Sequence, residues 1–229
     1  MHNDIEIIEN KDYCLIYNKP ILSKGLSWQD LISWWEESHK QAKKDLYNRL
    51  ELSMEKSSIA EKYVFKTYYQ LFEEELGEKL PALIPQVYFC YDPITHNEIK
   101  RLRMFNGQVR PSLPVQRMDF LILFSDKDRV IIEIDGKHHY SNEEEVMVRQ
   151  TNGNYYKTKR AIANPQNYAI MVSEDRKLRL RGYEIYRFGG YEICRPNEKG
   201  LLSVVDTAEK ILKDFFLSLF EKFGIVLKK

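Results

Sequence analysis

Residues 130–140 read VIIEIDGKHHY, a β-branched run that contains two carboxylates and ends in a basic segment. Valine and isoleucine favour β-strands. Side chains alternate along a strand, so Glu133 and Asp135 share one face while the neighbouring isoleucines occupy the other. Gly136 suits a strand end, where the backbone turns or a ligand approaches closely. The segment therefore predicts a strand that presents two acidic side chains together.

A second apolar run, residues 115–124, precedes this strand and contains Asp119. The polar turn over 125–128 predicts that the two runs form an antiparallel hairpin. Pairing in that hairpin can bring Asp119 toward Glu133, so that three carboxylates converge. Like charges held close together repel unless a cation neutralises them, and hard divalent ions take oxygen ligands. Asp119, Glu133 and Asp135 are therefore a candidate site for Mg²⁺ or Mn²⁺.

Three basic residues follow Gly136 directly. The ammonium group of Lys137 could stabilise charge on a phosphoryl transition state or help to orient an attacking water. His138 and His139 could bind phosphate, transfer a proton or add a metal ligand, although a lone histidine is more often a structural residue. An alternative for the whole cluster is the wet face of an antiparallel sheet, which commonly carries charges.

The rest of the chain predicts an α/β (α+β) core preceded by a mostly helical extension. The core elements follow the order helix, three strands, helix, strand, helix. We place them at a helix begun by a capping box over 58–61, strands over 87–91, 115–124 and 129–135, a helix over 165–181, a strand over 183–188 and a helix over 201–223. The predicted division is an extension over 1–55 and a domain over 56–229.

The extension contains a helical pattern over 28–52, with Trp28, Leu31, Ile32 and Trp35 on one face. An apolar stripe of this size is too large to leave in water. We expect it to pack against the core, a second copy of the chain or a partner protein. The sequence therefore allows a homodimer or a complex with a partner protein through this helix.

Composition excludes several other classes. The chain has 229 residues, and its 43% apolar content is ample for a packed core. Its 35 Lys/Arg and 34 Asp/Glu leave a net charge of +1, so any basic surface must be local. Three cysteines without a Cys-x-x-Cys pair support neither a disulfide framework nor a zinc ribbon. Apolar runs shorter than the roughly 18 residues of a membrane span lead us to expect a cytoplasmic protein without membrane attachment.

The motifs resemble the signature of the PD-(D/E)xK nuclease superfamily, especially the branch near the very-short-patch-repair endonucleases. Asp119 followed by Phe120, and then EIDGK over 133–137, carry the resemblance, which covers roughly residues 57–193. It implies a restriction-endonuclease-like mixed sheet flanked by helices. It also implies metal-dependent hydrolysis of phosphodiester bonds, in DNA more than in RNA, with a role in microbial defence or DNA repair.

The resemblance also implies roles for individual residues. Asp119 and Glu133 would be the main metal ligands, and either Asp135 or Lys137 would fill the remaining motif position. Glu61 stands where the superfamily often places a helical acidic residue, and a capping box explains it equally well. Basic residues within 149–187 could track phosphates. The candidates for nucleic-acid contact are His138, His139, Arg176, Arg179 and Arg187.

Two other functions are compatible with these residues. A catalytically inactive nucleic-acid-binding or regulatory module would keep the fold without the reaction. An interaction protein would use the helix that carries Trp28, Trp34 and Trp35 to recruit a partner or a second copy. The presence of Asp119, Glu133 and Lys137 favours a nuclease over the inactive module.

Overall fold

The fold is built on one mixed β-sheet. A computed structural model describes residues 15, 17–54, 58–89, 116–149, 151, 153–198 and 200–227. The strands are β1 (Ile84–Phe89), β2 (Gln116–Leu123), β3 (Arg129–Asp135), β4 (Ser141–Arg149), β5 (Tyr155–Ala163), β6 (Tyr183–Gly189), β7 (Cys194–Pro196) and β8 (Leu202–Val204). The main sheet has the order β1-β2-β3-β6, while β4 with β5 and β7 with β8 form separate pairs.

Helices cover both faces of the main sheet. They are α1 (Trp28–His39), α2 (Lys43–Ser53), α3 (Ile59–Leu76), α4 (Pro165–Leu180), α5 (Gly190–Ile193) and α6 (Ala208–Lys222). The larger core joins one sheet face to aromatic residues of α3 and α6, and a smaller cluster on the other face includes Ile131, Ile185 and Leu178 of α4. The predicted mixed sheet flanked by helices is confirmed. Within the described ranges, none of the helices combines the length and apolar character needed to cross a membrane.

The predicted β2–β3 hairpin is also confirmed. The two strands pair antiparallel, with Phe120 opposite Ile132 and Leu123 opposite Arg129. Strand β6 pairs parallel with β3 on its other side, which places Arg187 beside Glu133. The carboxylates of β3 therefore have neighbours on two strands.

The predicted single helix over 28–52 is wrong, because the segment forms two helices. Lys40 adopts a left-handed backbone conformation (φ 56°) that ends α1, and α2 begins at Lys43. The apolar face nevertheless lies inside the chain: Trp28 and Trp35 are both 2% exposed. The Trp28 indole donates a hydrogen bond to Glu73 of α3 at 2.6 Å. Buried residues of 26–54 belong to the same cluster as α3 and α6, and the division at residue 55 stays a prediction.

The other predicted boundaries of helices and strands agree with the structure to different degrees. Helix α4 and strand β6 lie within one residue of their predicted limits. The helix predicted over 201–223 begins only at Ala208, because Leu202–Val204 pair with β7 as a strand. The capping box predicted over 58–61 is wrong: the Ser58 side chain caps no backbone amide. Strands β4 and β5 were not predicted at all.

Candidate active site

The hairpin places Asp119 against β3. Continuing the β2–β3 register by one residue beyond Phe120 and Ile132 sets Asp119 opposite Glu133. The Asp119 carboxylate accepts a hydrogen bond from the backbone amide of Ile134 at 2.8 Å. This bond holds the Asp119 carboxylate at the end of β3, where the predicted hairpin would bring it.

Glu133 is buried, with 6% of its surface exposed. Its Oε1 atom has no hydrogen-bond partner in the described part of the chain. The pKa of the Glu133 carboxyl is raised from 4.5 to about 8, chiefly by burial and then by the negative charge of Asp119; the guanidinium of Arg187 lowers it and Asp135 raises it by less. A carboxyl group with these surroundings is not on a wet sheet face, and its burial beside other acids favours the neutral form.

Arg187 holds the third carboxylate of the cluster. Its Nη1 atom donates to Asp135 at 2.6 Å, while its Nε and Nη2 atoms donate to Asp175 of α4 at 3.1 and 2.7 Å. The three side chains are only 12–20% exposed. Hydrogen bonds between ionised partners are shorter and stronger than those between neutral groups. Arg187 therefore links α4 to the acidic end of β3.

The ends of β3 and β6 approach closely at a glycine. Asp135 pairs with Gly189 in the parallel register. A Cβ atom on Gly190 would lie 3.0 Å from the backbone oxygen of Asp135, closer than side chains normally come to backbone. Gly190 thus lets the chain leave β6 without displacing Asp135.

Lys137 turns away from the carboxylates. It begins a 3₁₀ turn, Lys137–His139, which ends the alternation of β3. Its Nζ atom lies 2.5 Å from Glu143 of β4, and its side chain is 58% exposed. The hydrogen bond and charge of Glu143 raise the pKa of Lys137. Asp135, by contrast, lies beside Glu133, so the geometry favours Asp135 for the remaining motif position, and that assignment stays a prediction.

The two histidines lie on the same turn. The Nδ1 atom of His139 is 3.9 Å from the Asp135 carboxylate, and its side chain is 31% exposed. The side chain of His138 lies outside the described residues. His139 is thus at the edge of the acidic cluster.

Glu61 approaches the site through a residue that the sequence did not indicate. Its carboxylate accepts hydrogen bonds from Ser58 and from Nε2 of Gln86, the latter at 2.7 Å. Gln86 lies between the paired residues Pro85 and Val87, which puts it opposite Asp119 in the β1–β2 register. Glu61 is therefore joined to β1, the strand that lies beside Asp119.

The other predicted nucleic-acid contacts lie on α4. Arg176 and Arg179 are exposed, one and four residues after Asp175. Asp175 is the main residue that sequence reasoning missed as part of the site. Its pairing with Arg187 depends on how α4 packs on β6, and no local pattern signals that contact.

The described residues contain no group of three or more His, Cys, Asp or Glu side chains arranged to hold a metal ion. A scan against protein-family models, a search of curated proteins and a search of solved structures each found no match. A function therefore has to be inferred from the chemistry of the site.

Proposed function

We propose that the chain is a divalent-metal-dependent nuclease that hydrolyses phosphodiester bonds, preferentially in DNA, on a restriction-endonuclease-like fold. The observation that carries this proposal is Glu133, a buried carboxylate that faces Asp119 and has one unpartnered oxygen among the described residues. A structural role alone does not explain why a fold would bury that oxygen between other acids, since an unpaired buried carboxylate is costly.

The donor set suits a hard divalent cation. Asp119 and Glu133 would hold Mg²⁺ or Mn²⁺, with Asp135 as an additional ligand, because carboxylate oxygens are preferred by these ions. A bound ion would neutralise the repulsion within the cluster and polarise a phosphoryl oxygen of the substrate. The buried Oε1 atom of Glu133 would then gain the partner it lacks.

The chain's own residues would prepare the site for the substrate. Glu133 has to release its proton before it can act as a ligand, which couples ligand binding to proton release. Arg187 keeps Asp135 oriented and limits its motion. Lys137 lies on the exposed side of the turn, where it can exchange Glu143 for a phosphate oxygen.

A second candidate is a catalytically inactive nucleic-acid-binding or regulatory module on the same fold. It is favoured by the ion pairs that already engage two residues of the motif: Lys137 with Glu143, and Asp135 with Arg187. In that function the acidic cluster would be a structural element, and divalent cations would not lead to cleavage of the bound nucleic acid. The biological setting, microbial defence or DNA repair, follows only from the family resemblance.

Cleavage assays separate the two candidates. Supercoiled plasmid, linear duplex, single-stranded DNA and RNA are incubated with the protein in Mg²⁺, Mn²⁺ or EDTA. We expect cleavage that requires the cation and falls on the order of 10²-fold or more in Asp119→Asn and Glu133→Gln. Glu74→Gln, an exposed carboxylate on α3, is the matched control. Binding without cleavage in every condition would favour the inactive module, and full activity in both site variants would exclude this site.

A further inference from the structure

The β4–β5 hairpin is a two-stranded ribbon with both faces exposed. Of its eighteen strand residues, only Ser141 is buried, and Val146 and Thr158 are half-buried. Nine residues per strand span about 30 Å. A lone hairpin of this kind is marginally stable in water. Its exposed faces therefore suggest a surface that binds another molecule.

The base of the ribbon is fixed directly beside the acidic cluster. The Ser141 hydroxyl donates to the backbone oxygen of Lys137 at 2.6 Å, and the amide of Asn164 donates to the backbone oxygen of Tyr140 at 2.7 Å. Lys137 adds its ion pair with Glu143. A molecule that lies along the ribbon would therefore be led to the end of β3.

Charge is distributed unevenly along the ribbon. Near the base, Glu143 pairs with Lys137 and Lys159, so the opposite charges largely compensate. Residues 146–158 contain Arg149 and Lys157 and no Asp or Glu, although Lys157 pairs with Glu145 at 3.4 Å. Because both side chains of that pair are exposed, the pair is weak, and Lys157 can exchange Glu145 for a phosphate oxygen. The outer half thus presents two cations, Arg149 and Lys157, to a ligand.

Exposed aromatic side chains accompany these cations. Tyr155 and Tyr156 are 61% and 45% exposed, well above what core packing would leave. In the antiparallel register Tyr155 lies opposite Arg149. Cations interleaved with exposed tyrosines are typical of surfaces that contact phosphates and sugars.

We propose that the β4–β5 hairpin is an arm that lies in the major groove of duplex DNA and holds the duplex against the acidic cluster. The proposal rests on the proposed function for its choice of partner. The major groove is wide enough for a two-stranded β-ribbon, and Arg149 and Lys157 would contact phosphates on its edges. Tyr155 and Tyr156 would contact the DNA backbone or the base edges in the groove between those phosphates.

Binding of a labelled duplex in EDTA tests the arm without requiring cleavage. Fluorescence anisotropy over a series of salt concentrations compares the wild type with Arg149→Ala/Lys157→Ala and with Tyr155→Ala/Tyr156→Ala. Two exposed lysines of α6 supply a control that removes the same charge, Lys210→Ala/Lys213→Ala. We expect each arm variant to bind at least about tenfold more weakly. Loss of two phosphate contacts should also lower the salt slope by about 2 in the charge variant alone.

The outcomes distinguish the arm from the catalytic proposal. If the arm variants bind DNA more weakly than the wild type, but the wild type cleaves in no cation, the arm proposal stands and the nuclease proposal is wrong. Cleavage and binding that are equal in the arm variants and the control would overturn the arm. If light scattering shows a wild-type dimer that becomes monomeric only in the arm variants, with DNA affinity unchanged, the hairpin is a contact between copies and the proposal is wrong.

Discussion

The stability of Glu133→Gln relative to the wild type should increase as the pH rises. The carboxyl of Glu133 ionises near pH 4.5 in the unfolded chain and near pH 8 in the folded protein, chiefly because it is buried. Glutamine has a similar shape and does not ionise. The variant therefore removes the cost of placing a negative charge beside Asp119 and Asp135.

The sign and size follow from proton linkage. Below about pH 4.5 both states keep the proton, so the group adds no pH dependence. Between about pH 4.5 and pH 8 the unfolded chain loses a proton that the folded protein retains, and the free energy of unfolding falls as the pH rises. The loss is complete above about pH 8. From about pH 5.5 to about pH 8.5 it amounts to about 3 kcal/mol.

Urea unfolding at those two pH values measures the effect. The buried Trp28, Trp34 and Trp35 provide a fluorescence signal, and EDTA removes stray cations. The stability of Glu133→Gln relative to wild type should increase by about 3 kcal/mol between the two pH values. Burial of the glutamine amide contributes equally at both pH values, so it cancels from this comparison. Glu74→Gln should show no such change, and a pH-independent difference for Glu133→Gln would refute the raised pKa.

Three further variants test other parts of the structure by the same urea titration. Arg187→Ala should lower the free energy of unfolding by about 3–5 kcal/mol, because it leaves Asp135 and Asp175 as partly buried, unpaired charges; a loss below about 1 kcal/mol would contradict the ion-pair geometry. Lys137→Ala should leave the free energy of unfolding close to that of the wild type, since its ion pair is exposed, and a clear loss would show a structural role. Trp28→Ala should cost about 3–5 kcal/mol, and a near-wild-type result would contradict its place in the core.

Local patterns predict the centre of this fold well. The β2–β3 hairpin follows from a polar turn between two β-branched runs. Helix α4 is bounded by Pro165 and by a glycine after its last turn, both strong local signals. The β4–β5 hairpin escaped prediction because three consecutive glutamates, Glu143 to Glu145, break the alternation expected of a strand with one buried face.

Only the part of the site that depends on strand pairing could be predicted from the sequence. Register alone brings Asp119 opposite Glu133, so their proximity could be expected from the hairpin. The burial of Glu133 could not, because alternation identifies a face without showing what covers it. The Asp175–Arg187–Asp135 chain depends on parallel pairing of β6 with β3 and on the packing of α4, which are tertiary contacts.

Calorimetric titration of Mn²⁺ into the protein at about pH 7 tests the central claim most directly. In buffers of different ionisation enthalpy, the observed heats report how many protons leave when the cation binds. We predict that the wild type binds Mn²⁺ with release of about one proton, from Glu133, and that Glu133→Gln binds more weakly and releases none. A wild-type protein that binds no Mn²⁺, or that binds it with the same affinity and proton release as Glu133→Gln, would contradict a divalent-cation site at Asp119 and Glu133.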